Sequence, residues 1–134
     1  MRIRATFWLT GLLLLIGCGG TTPRGDAGQG QQLFHGELLM AGGDATPCIG
    51  CHSVTPGEPP AIGPNLSNVG NRAATTVAAQ SAADYLRASV VEPDTYLAAG
   101  FQEGIHPRTY GQLLTNDQIN DLVAYMLTLR SGQD

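Results

Sequence analysis

The chain contains no lysine. Seven arginines stand against eleven acidic residues, a formal net charge of −4 with histidines neutral. A nucleic-acid partner is excluded on this ground, because neutralising phosphates takes a basic patch and none exists. Cysteine is scarce as well. The three residues Cys18, Cys48 and Cys51 cannot build a framework of several disulfides. No stretch reads convincingly as a strand, and no segment repeats. The apolar run from Phe7 to Ile16 has only about half of the ~20 residues that a membrane-spanning helix needs.

That short run has a meaning of its own. Arg2 and Arg4 precede it, giving a positive region and a short apolar region, the pattern of an export signal. It ends in Leu15-Ile16-Gly17-Cys18, which resembles the lipobox of bacterial lipoproteins. The resemblance implies cleavage before Cys18 and lipid attachment to it. The alternatives are an ordinary secretory signal with an incidental cysteine, or an uncleaved anchor. Several acyl chains on one residue would hold the protein firmly at a membrane surface. Residues 1–17 are therefore read as a lipoprotein signal peptide, residues 18–28 as a small, polar, Gly-rich tether, and residues 29–134 as one domain. Loss of Arg2 and Arg4 takes the formal charge from −4 to −6.

The most informative stretch is Cys48-Ile49-Gly50-Cys51-His52. Two cysteines two residues apart, followed directly by histidine, form the attachment signature of c-type haem. Each thiol can add to one haem vinyl group, and the histidine then sits against the ring face, where it can ligate the iron. A zinc knuckle would need two more ligands, with only His35 and His106 to draw on. A thioredoxin-like dithiol usually opens a helix after a strand, whereas Gly42, Gly43, Asp44 and Pro47 precede this one. With Cys18 given to lipid and Cys48 and Cys51 to haem, no thiol is left for a disulfide.

Helices are expected at three places. Residues 28–41 carry Leu33, Phe34, Leu38 and Leu39 in a near-helical stripe closed by Gly42-Gly43. Ser81-Ala82-Ala83-Asp84 opens a second helix through Tyr85, Leu86, Ser89 and Val90, which Pro93 ends. Thr115-Asn116-Asp117-Gln118 is a capping box before Ile119, Leu122, Val123, Met126 and Leu127, which fall on one face. Residues 53–80 are rich in Pro, Gly, Asn and Ser, lack a clear period, and read as ordered loop wrapped around a large body.

Taken together these motifs resemble a class I cytochrome c in its small bacterial lipoprotein form, over about residues 28–130. The resemblance implies an all-α fold of three to four helices and long loops around one covalently bound haem c. Gly30, Phe34 and Tyr125 match residues that fill the crossing of the first and last helices. Gly63-Pro64-Asn65-Leu66 matches a segment whose proline carbonyl accepts a hydrogen bond from the proximal histidine, a role carried here to Pro64 and His52. Arg72 matches an arginine near a haem propionate, which a guanidinium suits.

One position departs from the family pattern. Where the family has the distal methionine, in a Met-Pro pair, this chain has His106-Pro107. The resemblance therefore implies iron held by His52 and His106. An open distal side, a remote methionine (Met40 or Met126) and His35 remain alternatives. The implied function is that of an electron carrier and not an enzyme. A membrane-tethered monohaem cytochrome would pass single electrons between respiratory or photosynthetic partners at the periplasmic or outer face of a bacterial membrane. Its partner, a redox protein or membrane complex, would need a basic or apolar docking face. The competing reading is a haem enzyme or a gas or peroxide sensor with a labile or open distal position.

Overall fold

The computed structural model describes residues 25–131. The leader, Cys18 and most of the tether lie outside them. Among the described residues there are five helices and no strand: α1 (Ala27–His35), α2 (Val69–Thr76), α3 (Ala82–Val91), α4 (Tyr110–Leu113) and α5 (Asn116–Thr128). Two 3-10 turns, Cys48–Gly50 and Pro93–Thr95, punctuate the loops.

The first and last helices cross and form the platform. Asp26 caps α1, its carboxylate accepting from the Gly28 and Gln29 amides. Thr115 and Gln118 cap α5 reciprocally, as the capping box requires. The crossing is close because residue 30 is glycine. A Cβ there would lie 1.9 Å from the Asp121 carbonyl oxygen and 2.9 Å from Tyr125 Cβ. Phe34 and Tyr125 meet edge to face, ring centres 5.4 Å apart. Of the five largest fully buried side chains, Phe34, Leu33, Leu122 and Val123 belong to α1 or α5, and only Leu86 comes from α3. At about 1.5–3 kcal/mol for each such side chain, apolar stabilisation is concentrated in this pair. The loops are then free to be shaped by what they enclose.

Two expectations are corrected. The first helix stops at His35 rather than reaching residue 41, because Gly36 adopts a left-handed conformation (φ 78°) and its amide turns back to Gln32 and Leu33. Residues 53–80 are not all loop, since they contain α2. Its buried face is only Val69, Gly70 and Ala73, too short and too small in side chain to give a visible period. The α3 start is as expected at Ser81, whose hydroxyl oxygen accepts from the Asp84 amide at 3.1 Å. The reciprocal half of that box differs, because the Asp84 carboxylate takes the Ser81 hydroxyl instead of the Ser81 amide.

Candidate functional site

On the side where the loops pass, the helices leave a cavity of about 410 Å³. Cys48, Cys51, His52, Pro64, Arg72 and His106 all line it, together with Met126 of α5 and Tyr110 of α4. His35 and Met40 do not. The His35 Nε2 lies 3.4 Å from the Tyr125 hydroxyl, and Met40 is buried in the core. Two of the alternative distal ligands are thereby set aside.

The Cys48–Gly50 turn explains how the attachment motif is presented. The Cys51 and His52 amides both donate to the Cys48 carbonyl, at 3.1 and 3.0 Å. This tight winding brings both thiols and the imidazole to one wall. Both cysteines are half-buried and not joined to each other. Burial pushes the Cys48 thiol up to about 11, with the neighbouring Cys51 adding to it. A catalytic dithiol shows the opposite shift. Among the described residues, no three His, Cys, Asp or Glu side chains converge on one ion, so the zinc-knuckle reading also lacks its ligands.

His52 is held from two sides. Its Nδ1 is 2.9 Å from the Pro64 carbonyl oxygen, which makes Nδ1 the protonated nitrogen and leaves Nε2 with a free lone pair. Its ring rests against Gly63. A Cβ at residue 63 would lie 2.4 Å from His52 Cε1 and 2.7 Å from Nδ1, so no other residue fits without moving the ring. Asn65 stiffens the same segment, donating to the Thr55 and Glu58 carbonyls at 2.8 and 2.9 Å. The Asn65 carbonyl in turn accepts from Arg72 Nη2 at 2.8 Å, which fixes the guanidinium at the cavity wall.

Across the cavity, His106 Nδ1 is 3.1 Å from the Pro107 carbonyl oxygen. The Tyr110 ring stands edge to face with it, centres 5.3 Å apart, and the Tyr110 hydroxyl donates to the Thr46 carbonyl at 2.6 Å. Burial lowers the pKa of both histidines, which favours the neutral imidazole that a metal needs. The two rings are 6.2 Å apart, centre to centre.

The sequence model of one family, described as Cytochrome c, matches residues 27–130. The chain belongs to the cytochrome c family. A search of curated protein sequences finds no match to it. A cytochrome c carries haem c bound covalently and used for electron transfer.

The residues of this cytochrome fit that cofactor. The wall that bears Cys48, Cys51 and His52 faces an apolar cavity with no buried polar side chain left unsatisfied. Gly63 and Pro64 hold one imidazole with Nε2 available. The second imidazole stands at a distance that suits a shared metal. An imidazole nitrogen binds a transition metal at about 2 Å, so two rings whose centres are 6.2 Å apart leave room for one ion. Two residues of the site went unnoticed in the sequence. Tyr110 had only one signal, an aromatic one helical turn after His106. Asp94, bonded to residues on either side of His106, had no local signal.

Proposed function

We propose that this cytochrome c is a one-electron carrier with bis-histidine iron, tethered to a membrane through lipid on Cys18. When bound, haem c supplies a ferric/ferrous couple. Cys48 and Cys51 would hold it through their sulfurs, and His52 and His106 would ligate its iron. The observation that carries this reading is the 6.2 Å separation of two imidazoles, each with its Nδ1 engaged by a proline carbonyl.

The chain's own residues then have defined tasks. The Pro64 carbonyl fixes the His52 tautomer and makes its Nε2 a stronger donor. Gly63 blocks retreat of the ring. Arg72 offers a fixed guanidinium to a propionate. The apolar walls exclude water, which keeps reorganisation small when the charge changes. Imidazole in place of a thioether favours ferric iron. The potential is therefore lower than with methionine at 106. Redox titration of the wild type beside His106→Met is the test, and the variant is expected to titrate at higher potential with an altered low-spin spectrum. An unchanged or lower potential refutes the ligand assignment.

An enzymatic use of His106 with Arg108 as an acid–base pair finds no support. Arg108 pairs with Asp94 and Glu103 and does not line the cavity. Tethering rests on the leader pattern. Among the described residues no helix is long and apolar enough to cross a membrane. Lipid on Cys18 would raise the carrier's effective concentration near membrane redox complexes. Cys18→Ser is expected to move the holoprotein from the membrane fraction to the soluble exported fraction. Retention of the variant in membranes would overturn the anchor.

A further inference from the structure

The segment that carries His106 has little structure of its own. Between Thr95 and Tyr110 there is no helix. Among the described residues, the one backbone–backbone hydrogen bond inside this segment is Phe101 N–H to the Ala98 carbonyl, at 3.1 Å. Its shape must come from side chains, and a single carboxylate supplies most of it. Asp94 Oδ1 accepts from the Gly104 amide at 3.0 Å. Asp94 Oδ2 accepts from Arg108 Nε. These partners lie two residues before and two residues after His106. Gly104 reaches its position at φ 80°, a conformation that suits glycine. Asp94 itself is anchored directly after Pro93, which is buried at the end of α3.

The geometry points to Asp94 as a positioning residue that brackets His106 and sets how readily the distal histidine gives way to an incoming ligand. This inference rests on the ligand reading above and deepens it. An isolated exposed ion pair contributes little, and the Arg108–Glu103 pair at the rim, with side chains 61% and 68% exposed, is of that kind. Asp94 differs because its side chain is only 22% exposed and both of its oxygens are used. Asp has a short side chain, so little rotamer freedom is lost in holding two partners. For His106 to swing out, the loop must release Gly104 or Arg108. The bracket therefore adds to the barrier for opening by holding the loop and not by ligating iron.

The test mixes ferric holoprotein with cyanide and follows the haem band in time. Loss of a charge-assisted hydrogen bond and an ion pair from the closed loop alone is expected to speed uptake by about tenfold or more in Asp94→Ala. Asp94→Asn should show a smaller rise, because the amide oxygen still accepts from Gly104. Arg108→Gln should also rise, and it keeps the measurement decisive if Asp94→Ala fails to mature. Thr115→Ala, which removes the α5 cap, lowers stability away from the loop and should leave the uptake rate unchanged. That comparison separates bracketing from general weakening. His106→Ala must take up cyanide fast and lose the wild-type spectrum; if it does not, the ligand reading itself fails and the bracket falls with it. If His106→Ala behaves so but the Asp94 and Arg108 variants bind cyanide at the wild-type rate, the bracket alone is overturned.

Discussion

Gly63→Ala asks how tightly the His52 ring is cradled. The substitution adds one methyl group. Gly63 does not occupy the left-handed region, so backbone strain plays no part and the whole effect comes from contact. The new Cβ would lie 2.4 Å from His52 Cε1, and ordinary carbon contacts begin near 3.5 Å, so the ring or the segment must retreat by about 1 Å. Neither has room. The ring is fixed on one side by the 2.9 Å contact to Pro64 and on the other, in the proposed ligation, by iron. Overpacking costs about 1–3 kcal/mol and loss of the Pro64 hydrogen bond about 1 kcal/mol more. At about 4 °C per kcal/mol for a domain of this size, the sum lowers Tm by roughly 8–16 °C. Loss of the Pro64 bond also makes His52 a weaker donor, so ferric iron is less favoured and the potential rises. Thermal unfolding followed at the haem band, with redox titration of the same preparation, measures both. Gly111→Ala is the control, because its Cβ would meet only ordinary contact, 3.4 Å from Val91 Cβ. Unchanged Tm and potential in Gly63→Ala would refute the cradle.

Gly30→Ala should be more damaging to folding. Its Cβ would sit 1.9 Å from the Asp121 carbonyl oxygen, forcing α1 and α5 apart and exposing Phe34 and Leu33, at a cost of about 3 kcal/mol or more; a sharp fall in holoprotein yield and helical circular dichroism is expected, and wild-type stability would contradict the close crossing. Tyr110→Phe removes the hydroxyl bonded to Thr46 but keeps the ring against His106. Stability should fall by about 1–2 kcal/mol in denaturant titration while the low-spin spectrum stays as in wild type; a changed spectrum would show that the hydroxyl, and not the ring, places the histidine.

Much of the fold was legible because its signals are local. The Thr115 capping box and the apolar face behind it lie within one short stretch, and α5 forms there. Asp26 was not foreseen as a cap, and Gly36, rather than Gly42-Gly43, ended α1. Both depend on conformations that composition only permits. Helix α2 was not legible because Val69, Gly70 and Ala73 bury little area by themselves. They become a face only when α3 and α5 lie against α2. The same limit applied to the site. The attachment motif stood out because two thiols and an imidazole must sit close in sequence to reach one ring. Asp94 did not, because its partners are ten and fourteen residues away.

Read along the chain alone, the residues carry the Cys48–His52 attachment motif through their covalent spacing and helices through short-range periodicity, while the all-helical class and His106 in place of methionine are what resemblance to the cytochrome c family implies. Spacing and periodicity survive in an unfolded chain. Only the tertiary structure decided that His106, and neither His35 nor Met40, stands 6.2 Å across from His52, and that Asp94 closes the loop around it. Such distances are set by long-range packing of the α1–α5 platform and the loops hung on it, and no local stretch of sequence contains them.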